Sequence, residues 1–410
     1  MNDLEQIINQ SNTDLKPIFD NLDDIEFENT KKVLNAFKNN KISEAHLQGT
    51  TGYGYGDIGR EAIEKIFSEV FKGEDAIVRS QFISGTHTIS TCLFGILRPG
   101  DTVLSINGKP YDTLDEVLGV VDNSSSLKSW GIKYEHIELK EGKLDIHSII
   151  DRVSKNDIKL IICQRSRGYL YRDAFTIEEL EEAFKEIRRV NNSAYIMVDN
   201  CYGEFVDTRE PLEVGADLIV GSLIKNPGAG IAKTGGYIVG KKELIDLISD
   251  RYSAPGLGKE GGSSFNHNRE ILQGFFMAPH TVNQALKTAV FSAYCLEKLG
   301  YEVSPKYDSK RSDIVQMIKF QDADKLIKYC QGIQSMSPVD SHVKPMPWDM
   351  PGYTDQVVMA SGAFTAGSSI EISCDGPIRP PYVAYQQGGL TYQSGKLAAL
   401  NAIKEVIMCK

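Results

Sequence analysis

The chain has 410 residues, of which 41% are hydrophobic and 24% charged, with a formal net charge of −10. This is an ordinary globular composition at a length that favours two domains, and the acidic balance argues against a phosphate-neutralising, nucleic-acid-binding surface. No apolar run nears a membrane span of about 18 residues, the start lacks a signal peptide's basic and apolar regions, and seven scattered cysteines without a CxxC pair give neither a disulfide framework nor a structural zinc site, so a reduced, soluble, cytoplasmic protein is expected.

In chain order, residues 1–47 read as a helical arm, with apolar Leu22, Ile25, Val33, Leu34 and Phe37. A Gly/Tyr-rich stretch follows, Gly52-Tyr-Gly-Tyr-Gly-Asp-Ile-Gly-Arg60. Short apolar runs then predict strands at 75–78, 102–106, 132–138, 158–163, 194–198, 217–221 and 236–240. Helical patterns separate several of them: 60–72, 86–97, 112–121 and 176–190. Such alternation predicts an α/β fold with a mainly parallel seven-stranded sheet and helices on both faces, spanning residues 48–290. A Gly/Ser loop at 251–268 precedes a long helical pattern at 270–299. Residues 291–410 predict a smaller α+β domain, with strands at 314–320, 357–360 and 369–373 and helices at 323–333 and 394–408.

Two residues stand out against this frame. Asp199 ends the apolar part of Ala194-Tyr-Ile-Met-Val-Asp-Asn-Cys-Tyr-Gly-Glu204, and Lys225 sits just past the strand-like run in Ala216-Asp-Leu-Ile-Val-Gly-Ser-Leu-Ile-Lys-Asn-Pro-Gly228. In a parallel sheet both belong at carboxyl ends of strands, where ligands bind. Pyridoxal 5'-phosphate (PLP) needs such a pair: an amine for its aldehyde and a carboxylate that keeps its ring nitrogen protonated. Its phosphate needs a helix N-terminus and hydroxyls, and Ser84-Gly85-Thr86 opens a helical pattern after the first strand, with Ser222 as a further donor. Its ring needs an aromatic face, for which Tyr111 in Asn107-Gly-Lys-Pro-Tyr-Asp112 is placed. Arg379, between prolines in Cys374-Asp-Gly-Pro-Ile-Arg-Pro-Pro381, is a candidate for a substrate carboxylate. Each residue also has an ordinary reading: a helix cap, a core aromatic, a turn Asp, a solvated Lys or Arg.

The order and spacing of Ser84-Gly85, Tyr111, Asp199 and Ser222-x-x-Lys225 resemble the fold type I PLP enzymes, specifically the Cys/Met-metabolism group with cystathionine lyases and methionine gamma-lyase. The whole chain resembles a bacterial "aluminum resistance" or methionine gamma-lyase-like branch, through Tyr53-Gly-Tyr-Gly-Asp-Ile-Gly-Arg60, Gln164-Arg-Ser-Arg-Gly168 and Cys374-Asp-Gly-Pro-Ile-Arg-Pro-Pro-Tyr382. The resemblance implies an aspartate-aminotransferase-type fold and a carbon–sulfur lyase acting on a sulfur-containing amino acid by β- or γ-elimination. It assigns catalysis to Lys225, Tyr111 and Asp199. It also implies a homotetramer, a dimer of dimers with sites shared across the dimer interface. Three departures stand beside it. Where the group has Tyr-x-Arg reaching a partner's phosphate, this chain has Tyr55 and then Asp57, leaving Arg60 as the charge. Where the group has Glu-x-Pro-x-Asn, Gln164-Arg165-Ser166-Arg167-Gly168 brings Arg165 and Arg167, candidate substrate ligands that put the usual substrates in doubt. Ile224 replaces a frequent hydroxyl residue before the lysine.

Alternatives stay open: an aminotransferase, another amino-acid lyase, or a PLP-binding homologue without catalysis. Gly54-x-Gly56-x-x-Gly59 matches a dinucleotide fingerprint but lacks a preceding strand. The histidines show no metal-binding spacing, and His87 is notable for lying beside Ser84-Gly85.

Overall fold

The structure is a computed structural model that describes residues 2–170, 172–350 and 353–409, and counts below refer to these residues. The first seven strands are β1 (Asp75–Arg79), β2 (Thr102–Ser105), β3 (Lys133–His136), β4 (Leu160–Gln164), β5 (Tyr195–Asp199), β6 (Leu218–Ser222) and β7 (Gly236–Gly240). They form one sheet in the order β1-β7-β6-β5-β4-β2-β3. Every pairing is parallel except those of β7, which runs against both β1 and β6.

Alternation along each strand divides the apolar residues between two cores. Ile77, Met197, Leu218, Val220 and Ile238 face helices Gly85–Ile96 and Lys242–Tyr252. Ala76, Val78, Ile196, Val198, Ile219 and Val239 face the other way, onto helices Ile58–Phe71, Ile177–Val190 and Asn268–Lys298. Burial on both faces explains why these strands read as continuous apolar runs. The N-terminal helices, Asn2–Asp14 and Lys16–Asn39, are tied to the long helix through Tyr294 on Asp14 (2.6 Å) and Asn283 and Lys287 on Asp23 (2.7 and 2.5 Å). No described helix is long and apolar enough to cross a membrane.

A second, antiparallel sheet is built from β8 (Glu302–Ser304), β9 (Val315–Lys319), β10 (Val357–Ser361), β11 (Ser373–Pro377) and β12 (Val383–Gln387), in the order β10-β11-β12-β9-β8. Cross-strand register puts Met359, Asp375, Tyr385 and Met317 in one row. The adjacent residues point to the opposite face, where Cys374 meets Cys330 (Sγ–Sγ 3.7 Å) and Gln386 accepts from Tyr329 (2.5 Å), both on helix Ala323–Gln334. The row with Asp375 and Tyr385 is therefore turned towards Tyr169 and Tyr202 of the large sheet's loops.

Two predicted elements differ. The alternating run 369–373 is not a strand; β11 begins where that run ends. The buried Glu371 accepts from the N–H groups of Phe364 and Thr365 (2.8 and 2.9 Å), and Ile370 C=O accepts from Gly389 (2.8 Å). These bonds draw the segment out of the ladder. The pattern at 112–121 gives a 3-10 turn and one helical turn, Asp115–Leu118, closed by Gly119 at φ 87°.

Candidate active site

Asp199 closes β5 and Lys225 lies just past β6, both at carboxyl ends of strands. Helix Gly85–Ile96 starts at the same edge. A Cβ placed on Gly85 would lie 3.8 Å from Cys201 Sγ and 3.9 Å from Ser222 Cβ, so the helix start meets the ends of both strands. Ser84 caps this helix, accepting from His87 N–H at 3.0 Å. As at any helix start, the N–H groups of Gly85 and Thr86 have no intrahelical partner. Thr86 Oγ1 lies 3.3 Å from the Tyr111 hydroxyl and 2.9 Å from Thr113 Oγ1. Tyr111 is oriented from β4: its N–H donates to Gln164 Oε1 at 3.2 Å. Ser84, Gly85, Thr86, Tyr111, Asp199 and Lys225 are each half-buried, as groups lining a cavity are, and Ser222 is buried beneath them.

The electrostatics follow from this placement. Burial raises the Asp199 carboxyl, opposed by the Cys201 N–H at 3.1 Å and by the Lys225 charge. Burial works to lower the Lys225 amine, but Tyr202, Cys201 and Asp199 outweigh it and hold the ammonium. Lys225 Nζ stands 3.8 Å from the centre of the Tyr202 ring, a cation–π contact. Burial, with Asp199 nearby, pushes the Tyr111 hydroxyl up. Burial lowers His87, whose Nδ1 accepts from Ile83 N–H at 3.3 Å and whose ring sits edge-on to Phe82.

Other predicted residues lie elsewhere. Arg60 is buried and is not brought to the cluster; its guanidinium donates to the carbonyls of Gly54 (2.7 Å), Glu260 (2.8 Å) and Gly262. Asp57 caps helix Ile58–Phe71 and accepts from Thr50, Ser264 and Asn268. These bonds pin the Gly/Tyr stretch to the 260–264 backbone, and a Cβ on Gly54 would lie 2.6 Å from Gly262 O. The pinned loop presents Tyr53 and Tyr55 to solvent, 81% and 62% exposed and stacked at 5.8 Å. The stretch follows a 3-10 turn at Glu44–Leu47, as a dinucleotide loop does not.

Arg165 is also outside the cluster. It is buried and committed to Asn200 Oδ1 and Gly203 O (both 2.9 Å), with Glu210 at 3.7 Å, so it fastens the turn after Asp199. Arg167 is buried against Ser304 O (3.0 Å), with Asp313 at 3.7 Å and Asp173 at 3.6 Å. Arg379 follows β11, half-exposed and paired with Asp355 at 2.9 Å. Two residues were not singled out from sequence. Tyr202 is at φ 71° in the turn Asp199 opens, a position that an Asp-Asn-x-Tyr-Gly run can flag. Asp375 lies in the small-sheet row that packs on Tyr202, the ring that Lys225 Nζ stands over, a long-range arrangement with no local signal.

The donor set fits PLP: an amine, a carboxylate short of positive partners, open N–H groups at a helix start, three hydroxyls and a phenol ring. A family model described as methionine gamma-lyase matches residues 4–407. The chain belongs to the methionine gamma-lyase family. The uncharacterized protein YnbB of Bacillus subtilis (strain 168) is 50% identical over 397 residues, 96% of this chain and 94% of that one. A carbon–sulfur lyase involved in aluminum resistance from Clostridium novyi NT superposes with a TM-score of 0.95 at 48% identity, covering 99% of this chain and 96% of its own. A protein provisionally assigned as a cystathionine beta-lyase involved in aluminum resistance, from Clostridium acetobutylicum, gives 0.96 at 47% identity, with 99% and 96% covered. For the fold alone, the pyridoxal-5'-phosphate-dependent protein YhfS of Escherichia coli gives 0.61 at 16% identity, covering 95% of this chain and 96% of that one.

Proposed function

We propose that this protein is a PLP-dependent carbon–sulfur lyase that cleaves a sulfur-containing amino acid by β- or γ-elimination. One observation carries the reading: Lys225, Asp199 and the open helix start at Gly85 converge at one sheet edge. The membership of the methionine gamma-lyase family and the likeness to a carbon–sulfur lyase support it. When bound, PLP supplies an electron sink for bonds broken at the substrate's α-carbon.

The chain's own residues do the rest. The N–H groups of Gly85 and Thr86, with the Ser84, Thr86 and Ser222 hydroxyls, hold the phosphate. Tyr111 covers the ring face. Asp199 would keep the ring nitrogen protonated, and its charge would then be balanced without the Lys225 ammonium. Lys225 is then free to be neutral, and its Nζ accepts the Cα proton as general base. Arg379 is the candidate for the substrate carboxylate, which would have to draw it from Asp355. A second copy of the chain covers the exposed Tyr53 and Tyr55 and takes Tyr55 into its own site, within a homotetramer. The cell compartment in this reading is the cytoplasm.

The experiment is a thiol-release assay on PLP-loaded protein with cystathionine, methionine and cysteine, quantifying the 2-oxo acid formed. Equal amounts of sulfur product and 2-oxo acid are expected from at least one of them, and the length of the oxo acid separates β- from γ-elimination. Transfer of the amino group to an added 2-oxo acid, without release of a sulfur product, counts against the lyase and for an aminotransferase.

A further inference from the structure

Asp375 has no part in the chemistry so far. It lies on β11, 8% exposed, in the row of the small sheet that faces Tyr169 and Tyr202. Tyr169 hydrogen-bonds the carboxyl, and Lys225 acts on it as the nearby positive charge. Tyr169 is itself fixed from behind, since Tyr385, directly opposite Asp375 in the ladder, donates its hydroxyl to Tyr169 O at 2.9 Å. Tyr353 packs on Tyr169, its ring 5.5 Å away, and its hydroxyl is raised mainly by burial and then by the Asp375 charge. The second oxygen, Oδ1, is buried and has no hydrogen-bond partner among the described residues. A buried polar atom left open, on the sheet face that packs against the Tyr202 ring under the Lys225 amine, is a place for a ligand group.

Resting on the lyase reading, we propose that Asp375 is the general acid of the elimination and delivers its proton to the departing sulfur. The C–S bond breaks with its electron pair on sulfur, the carboxyl O–H proton moves to that sulfur, and a thiol leaves. The carboxylate then regains a proton from the Lys225 ammonium that took it from Cα, so the pair returns to its starting state.

The groups around Asp375 favour this role. Burial raises its pKa to about 7, while Tyr169 and the Lys225 charge pull it down. Cys374, next to it, points to the opposite face. Catalytic acids work best with a pKa near the operating pH. Tyr111, the other proton donor in reach, is a weaker acid, pushed up by burial and by Asp199, and its hydroxyl is turned to Thr86.

The test compares wild type with Asp375→Asn and Asp375→Glu on S-substituted cysteines whose leaving groups run from alkyl thiols to nitroaryl thiols. A good leaving group needs no acid. Asp375→Asn is expected to lower kcat about 10²–10⁴-fold for alkyl thiols and only a few-fold for nitroaryl thiols, and Asp375→Glu to recover part of the alkyl rate. An equal loss on both classes, no loss, or a uniform rise in KM overturns the proposal and leaves the lyase reading standing. A wild type that releases no thiol from any of them overturns both. Infrared spectra of the cofactor-free protein give an independent readout. A protonated-carboxyl band that titrates near neutral pH and is missing in Asp375→Asn is expected, and a wild type without it overturns the proposal.

Discussion

Lys225→Ala is expected to abolish thiol release while leaving the protein folded. The general-base share of catalysis alone is about 10²–10⁴-fold, and the variant also loses the amine that anchors the cofactor's aldehyde. The fold loses little in exchange. The side chain is half-buried and makes a contact with the Tyr202 ring at 3.8 Å, worth about 0.5–2 kcal/mol. Urea unfolding of the cofactor-free proteins separates the two effects: a midpoint close to wild type with turnover at background is the expected pair of results. Turnover within tenfold of wild type would remove Lys225 from the mechanism. A small primary amine added to the assay is expected to restore part of the lost rate, since the cavity left by the side chain opens to the substrate.

Asp199→Asn carries the second large effect. The amide keeps the shape and still accepts from Cys201 N–H, now bonded at 3.1 Å, but it no longer balances a protonated ring nitrogen. A hydrogen bond to a charged group contributes about 1.5–3 kcal/mol, so cofactor affinity is expected to fall about ten- to hundredfold. The catalytic loss is larger, because an unprotonated ring is a poor electron sink. Titration of cofactor-free protein with PLP, followed by absorbance, measures the first effect, and thiol release at saturating PLP measures the second. A variant with unchanged affinity and rate would place the ring nitrogen away from Asp199.

The large sheet and its ligand-binding edge were legible because parallel strands buried on both faces leave long apolar runs. Asp199 and Ser222 each close such a run, and Lys225 follows the second. The small sheet was harder to read. The buried Glu371 diverts an alternating run into a loop, and β11 starts only at Ser373, where the predicted strand 369–373 ends. The arginines misled for a related reason. Charge in a motif says nothing about where a guanidinium ends, and Arg60 and Arg165 are used up on backbone carbonyls and the turn after Asp199. Asp375 had no local signature, because its place over Tyr169 and Tyr202 depends on how β11 is registered against β12 and packed on the large sheet's loops.

The proposed chemistry requires Lys225 to be the residue that carries the cofactor. Borohydride reduction of PLP-loaded protein, followed by peptide mass spectrometry, tests this most directly. A reduced pyridoxyl phosphate group on the Lys225 side chain is the predicted result. A group fixed on a different lysine, or none at all on a protein that still releases thiol, would contradict it.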